Sequence, residues 1–250
     1  MSKHILLGIS GGIAAYKSCE LVRLLKKQGH SVSVVMSKAS TEFISPLTFQ
    51  ALSGNPVLTD THENSLGNGM AHINLTREAD ALVIAPATAN TIAKISHGIA
   101  DNLLANLVAA RKCPLAVAPA MNVEMWNNPA NLRNIEQLRS DGITVFQPAY
   151  GEQACGEIGL GRMLEAADLA DLISDLWTPK ILLGKRILIT AGATFEAIDP
   201  VRGITNISSG QMGTALARTC RAAGAKVTLI YGQLQTTIPT GLFHTEQAVS

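Results

Sequence analysis

The chain has 250 residues, 47% of them hydrophobic and 16% charged, with a formal net charge of +1. That is apolar mass enough for one packed domain or one and a fraction, and it lacks the basic face that nucleic-acid phosphates demand. Glycines at 8, 11 and 12 interrupt the first apolar run long before it could cross a bilayer, so a membrane partner is not expected and a cytoplasmic setting is. Cys19, Cys113, Cys155 and Cys220 are far apart without CxxC spacing, which predicts reduced thiols and neither a disulfide scaffold nor a zinc site.

In chain order, short runs rich in Ile, Val and Leu predict strands at 4–9, 31–36, 81–85, 114–118 and 142–146. Helices are predicted over 12–28, over 88–109 with a break near Gly98, and over 129–140; a last helix at 163–177 follows a loop. This alternation is the pattern of an α/β fold of Rossmann or flavodoxin type, a parallel sheet with helices on both faces. The first helix sets Ala14, Leu21, Leu24 and Leu25 against Lys17, Arg23, Lys26 and Lys27, one side buried and the other wet, and Gly29 ends it in a left-handed cap. A second unit opens after Thr178-Pro179 with a strand at 186–190, a helix at 211–223 and a strand at 226–231, followed by a polar, irregular tail from Gln233 to Ser250. Two strands in about seventy residues make a poor independent core, so the chain is expected to stop inside this second domain or to complete it with partner contacts.

The turn Gly8-Ile9-Ser10-Gly11-Gly12 joins the first strand to the first helix. Its glycines let the backbone turn tightly and approach a ligand, amides at the helix start can hold phosphate, and Ser10 adds a hydroxyl. GxGxxG spacing and a following GK[ST] are both absent, which favours a mononucleotide or sugar-phosphate end over NAD or ATP. Two other readings stay open: a purely structural turn, and a GxSxG hydrolase elbow with Ser10 as nucleophile, Asp80 or Asp101 as acid and His72 or His97 as base, although His72 falls awkwardly in the usual chain order.

In open parallel sheets ligands gather beyond the carboxyl ends of strands. After the third predicted strand, Thr88 and Asn90 either bind a ligand or cap a helix. After the fourth, Asn122 can hydrogen-bond a carboxylate without adding negative charge, while Met121, Met125 and Trp126 form either an apolar wall or core. His72 is a proton carrier or a surface histidine, and Arg77 an anion clamp or a solvated helix residue. The glycine-rich stretch 147–161 can close over a ligand and carry Cys155 to it, the alternative being a buried, inert thiol.

GISGGIAAYK at 8–17, MAHINL at 70–75, APATANTIAK at 85–94, PAMNVEMW at 119–126 and ACGEIGLGRM at 154–163 together resemble the flavin-dependent cysteine decarboxylase family, on its phosphopantothenoylcysteine decarboxylase branch. TAGATFEAIDPVRGITNISSGQMG at 190–213 is similar to the opening of the phosphopantothenoylcysteine synthetase family, which is joined to the first in bifunctional coenzyme A biosynthesis. The resemblance implies an FMN-binding cysteine decarboxylase domain over 1–178 and an incomplete phosphopantothenate–cysteine ligase-like domain over 179–250. It implies that His72 and Cys155 are catalytic, Cys155 donating a proton from a closing flap. Asn122 would hold the substrate carboxylate, with Met125 and Arg77 completing the substrate site, and Gly8, Ser10, Gly11, Gly12, Thr88 and Asn90 would hold FMN. The family often has serine where this chain has Thr88, which keeps the hydroxyl.

The implied reaction converts 4′-phospho-N-pantothenoyl-L-cysteine to 4′-phosphopantetheine and carbon dioxide through a transient thioaldehyde. Oxidation at the sulfur-bearing carbon creates the electron sink that decarboxylation needs, and flavin then returns the electrons. The family also implies homotrimers or multiples of trimers, with sites shared at subunit boundaries. Asn206 matches a functional asparagine of the synthetase family, whose later lysine has no counterpart here. CTP and Mg2+ are therefore implied only for an intact second domain, and ligase activity is not expected. A non-catalytic FMN-binding regulatory protein is the alternative from another class.

Overall fold

The computed structural model describes residues 2–60 and 71–248, with the backbone alone at 71–74. It divides into two compact units, Met1–Ala170 and Asp171–Ser250.

The first unit runs β1 (His4–Ile9), α1 (Ala15–Lys27), β2 (Ser31–Met36), a short 3-10 turn at Lys38–Glu42, α2 (Pro46–Ser53), β3 (Leu58–Thr59), α3 (Ala71–Glu78), β4 (Ala81–Ala87), α4 (Ala89–Ser96), α5 (Leu103–Ala110) and β5 (Leu115–Pro119). It continues with α6 (Val123–Asn127), α7 (Pro129–Ser140), β6 (Thr144–Val145), β7 (Ala149–Glu152), β8 (Ile158–Arg162) and α8 (Ala166–Ser174), whose end enters the second unit. Six strands form one parallel sheet in the order β3-β2-β1-β4-β5-β6. The expected parallel sheet is thus present, with the strand order of the Rossmann fold. All seven residues of β4 and all five of β5 are buried, because a parallel strand covered on both faces must be apolar on both.

Departures from the predicted elements have local causes. The last sheet strand shrinks from 142–146 to two residues, because Gly142 takes a positive φ of 75° where the chain leaves α7. The break near Gly98 is wider than one residue: α4 stops at Ser96, Gly98 sits at φ 67°, and Asn102 caps α5 by accepting from the Ala105 amide. The loop at 147–161 is largely ordered into an antiparallel hairpin of β7 and β8. Helix α2 went unpredicted, although Ser45 before Pro46 and Gly54 after Ser53 are the start and stop signals of a helix.

The second unit holds β9 (Arg186–Ala191), the hairpin β10 (Phe195–Ala197) and β11 (Gly203–Thr205), α9 (Gln211–Ala222), β12 (Lys226–Tyr231) and β13 (His244–Gln247). Its sheet has three parallel strands, in the order β13-β12-β9. The tail from Gln233 onward is therefore not irregular throughout: His244–Gln247 pairs with Thr228–Tyr231. All four β13 residues are exposed, so the strand is held by its backbone ladder and carries no apolar alternation to announce it. Inside this unit Arg221 is buried and donates to Asp175 at 2.8 Å, to Asp171 at 3.1 Å and to the Thr240 carbonyl. Among the described residues no helix is long and apolar enough to cross a membrane, and no cluster of metal-ligating side chains occurs.

Candidate active site

The strand order reverses between β1 and β4, and at that point the sheet opens a crevice at its carboxyl edge. Ser10 closes the floor of the crevice. Its hydroxyl donates to the Pro86 carbonyl at 2.7 Å and accepts from the Thr88 amide at 3.0 Å, which ties the end of β1 to the end of β4. At 1% exposure, with its proton committed to a carbonyl, Ser10 is neither a nucleophile nor a free donor to a ligand. The hydrolase reading fails on its acids as well. Asp80 lies at the opposite, amino edge of the sheet, where the His4 amide and the Lys3 ammonium hold its carboxyl below the usual range. Asp101 is engaged by Lys94, and His97 bonds Ser96 and the Ala93 carbonyl.

The remaining glycines divide by role. A Cβ on Gly8 would enter the Leu104 side chain, so this glycine admits α5 against the sheet. Gly11 lets the chain after β2 approach, since a Cβ there would meet Ala39, and it lines the crevice together with Gly12. Among the described residues the amides of Gly11, Gly12, Ile13 and Ala14 have no acceptor in the protein, and no side chain caps α1. That is the state of a helix start prepared for an anion.

Two adjoining cavities occupy the crevice. One, of about 650 Å³, lies over Gly11, Gly12, Thr88, Ala89, Ala120, Met121, Asn122, Met125, Gln153 and Cys155. The other, of about 400 Å³, shares Gly11, Thr88, Ala89 and Met125 and adds Ser37, Lys38, Asp60, Asn90 and Lys94. The capping reading of Thr88 holds, its hydroxyl accepting from the Thr91 amide at 3.3 Å, and the residue also lines both cavities. The apolar pair separates. Trp126 is buried in the core, while Met125 is 49% exposed and faces both cavities.

Asn122 and Cys155, 33 residues apart in sequence, meet at the rim. Asn122 is the N-cap of α6, its Oδ1 accepting from the Glu124 amide at 2.8 Å. Its Nδ2 donates to Cys155 Sγ at 3.4 Å and to the Glu157 carboxylate. Cys155 stands exposed in the turn between β7 and β8, which excludes the buried-thiol reading; burial instead pushes up the Cys19 and Cys113 thiols. The hairpin is seated on the chain after β5 by two glycines. A side chain on Gly159 would strike Val123, and one on Gly161, at φ 137°, would strike the Met121 carbonyl. Met121 donates its amide to the Gly161 carbonyl at 2.9 Å. Gln153 completes the seat, accepting from the Val123 amide at 2.9 Å and donating to the Leu160 carbonyl at 3.2 Å.

His72 falls in the first turn of α3, and its side chain lies outside the described residues. Arg77 is exposed near the end of the same helix and is not among the described residues lining either cavity. Asn206, in the second unit, accepts from the Ser208 amide at 2.9 Å within its own loop.

Gln153 and Glu157 were not singled out from sequence. Lys17 corrects the expectation of a wet face on α1: it is 7% exposed, with Nζ 2.9 Å from the Met163 carbonyl and 2.6 Å from Glu165. Helical periodicity cannot see that the chain just after β8, 146 residues downstream, folds back onto this side of the helix.

A doubly wound sheet of Rossmann order, with amides at its first glycine turn that meet no acceptor among the described residues and cavities at its switch point, defines an α/β protein with a ligand crevice at the strand ends. Residues 1–178 match the family model described as Flavoprotein, and residues 182–249 match the DNA/pantothenate metabolism flavoprotein C-terminal domain. The chain belongs to the Flavoprotein family. It is 52% identical over 240 residues to a coenzyme A biosynthesis bifunctional protein CoaBC from Vibrio parahaemolyticus, a match over 96% of this chain and 60% of the relative. The chain thus spans about 60% of the length of the curated relatives it matches. Among solved structures, a cysteine-to-serine variant of PPC decarboxylase complexed with pantothenoylaminoethenethiol is similar at a TM-score of 0.64 and 36% identity, covering 71% of this chain and 99% of that one. The FMN binding protein AtHal3 is similar at 0.62 and 37% identity, covering 70% and 96%.

Proposed function

We propose that this chain decarboxylates 4′-phospho-N-pantothenoyl-L-cysteine to 4′-phosphopantetheine and carbon dioxide, with FMN bound over residues 1–178. The observation that carries the reading is the meeting of Asn122 and Cys155, at 3.4 Å, over a cavity at the sheet's switch point. The unpaired amides of residues 11–14 and the neighbouring small residues Ala89 and Ala120 suit the phosphate and body of FMN. The names of the similar proteins, a PPC decarboxylase with an ethenethiol ligand and an FMN binding protein, support the same reading.

Bound FMN supplies a two-electron acceptor and donor at the substrate's sulfur-bearing carbon. Gly11, Gly12 and Thr88 hold it, with Asn90 completing the cofactor site, while Gly8 and Ser10 act one layer below by shaping the crevice floor. Asn122 orients the carboxylate that departs, Met125 excludes water on the apolar side, and Arg77 attracts the phosphate. His72 assists the loss of the thiol proton. Cys155, carried by the hairpin, donates the late proton to carbon. In the same reading the working form is a homotrimer or a multiple of trimers in the cytoplasm. The second domain, 179–250, is ligase-like, and Asn206, CTP and Mg2+ belong to its chemistry only in an intact form.

The test is a flavin spectrum of the purified protein, followed by anaerobic turnover with mass-resolved products. Yellow protein releasing carbon dioxide and phosphopantetheine in equal amounts is expected. Yellow protein that releases none would replace this reading with a non-catalytic flavin-binding one.

A further inference from the structure

Asn122 has no donor hydrogen to spare. Its Oδ1 takes the Glu124 amide, and its Nδ2 serves both Cys155 Sγ and the Glu157 carboxylate. A side-chain amide carries two donor hydrogens, so a substrate carboxylate reaches Asn122 only by displacing one of these partners. Glu157 is the partner with the same charge and shape as the incoming group. It is exposed, and among the described residues it forms no ion pair that would otherwise explain an acid at this rim.

We infer that Glu157 is a built-in substitute for the substrate's carboxylate: it occupies the Asn122 amide in the free protein, yields it to substrate, and retakes it when carbon dioxide has left. The inference rests on the decarboxylase reading and adds an order of events to it. Glu157 and Cys155 share one tight turn, closed by bonds from the Gln153 amide to the Glu157 carbonyl at 2.8 Å and from the Gly156 amide to the Gln153 carbonyl at 2.9 Å. They therefore move together. While the substrate carboxylate is on Asn122, its repulsion of Glu157 holds the turn, and the thiol proton with it, away from the reacting carbon. Breaking the bond to the carboxyl carbon leaves its electron pair delocalised towards sulfur and removes both competitor and repulsion. The turn then closes and brings the Cys155 proton. Decarboxylation is thus made to precede protonation.

The experiment uses the FMN-loaded full chain and its Glu157→Gln form, which keeps length and removes charge. Two ligands are titrated: the serine analogue of the substrate, which carries the carboxylate but no thiol, and 4′-phosphopantetheine, which has no carboxylate. The serine analogue is expected to bind Glu157→Gln about tenfold more tightly than the parent protein, as removal of one charged competitor for a hydrogen bond implies. Phosphopantetheine affinity stays the same. In a single turnover with true substrate the variant no longer holds the turn away until carbon dioxide has left, so the delay between carbon dioxide release and phosphopantetheine formation is expected to shorten. Equal shifts for both ligands, or weaker binding of the serine analogue, would overturn the inference. If Glu157→Gln loses its flavin spectrum, Glu157→Ala is titrated in its place with the same expected direction. A parent protein that releases no carbon dioxide strikes the decarboxylase reading itself, whereas normal turnover with unselective binding strikes only the role of Glu157.

Discussion

At the scale of single residues, the site depends on donors and acceptors whose partners are already assigned. Cys155 is the only one of the four cysteines that stands exposed, and it does so beside a residue that can hold a carboxylate. Replacing it with serine keeps a small hydrogen-bonding side chain but substitutes a far weaker acid. Cys155→Ser is therefore expected to keep its flavin spectrum and release carbon dioxide, yet accumulate the unsaturated, already decarboxylated thiol, read by mass analysis of quenched reactions. Normal phosphopantetheine formation would remove Cys155 from the role of proton donor. Ser10 teaches the converse: an apparent motif serine is spent on joining β1 to β4, and only its two bonds reveal this.

At the scale of elements, the two strands of the β7–β8 hairpin rest on a seat made of absences, and the turn between them carries Cys155 and Glu157. Gly159 and Gly161 lie where side chains would collide with Val123 and the Met121 carbonyl, so they serve close docking of the strands. Gly161→Ala also asks an alanine to adopt φ 137°, a conformation that favours glycine. This variant is expected to lose activity by about a hundredfold, the scale attached to misplacing a catalytic group by about an ångström. Its thermal unfolding should change much less, and proteolysis should cut faster within 149–162; unchanged turnover would show that the seat does not govern the site. Sequence periodicity read helix α7 ahead of this hairpin, but β7 and β8 are only four and five residues long, and the Ile158 and Leu160 alternation of β8 is interleaved with glycines.

At the scale of the whole molecule, charge placement separates the two edges of the main sheet. The carboxyl edge offers amides at residues 11–14 that meet no acceptor among the described residues, whereas the amino edge is closed by Asp80 against the His4 amide and Lys3. Because those partners lower the Asp80 pKa, the group contributes stability above the unfolded carboxyl value of about 4, and that contribution is lost as pH falls through the lower folded value. Asp80→Asn is therefore expected to unfold at lower denaturant concentration than the parent at pH 7. The gap should narrow steadily on acidification, as measured by denaturant titrations at several pH values; a gap independent of pH would mean that packing, not charge, carries the effect.

The amino-acid sequence by itself determined the parallel α/β architecture, the end of the first helix at Gly29, and the segments from which a site would be drawn, because apolar periodicity and glycine placement are local properties of the chain. The tertiary structure alone decided that Asn122 meets Cys155 and Glu157, that Lys17 is covered, that Ser10 is spent on the sheet, and that His244–Gln247 becomes a strand. Each of these depends on a hydrogen bond or steric fit between segments distant in sequence, and such pairings leave no periodic trace in either partner.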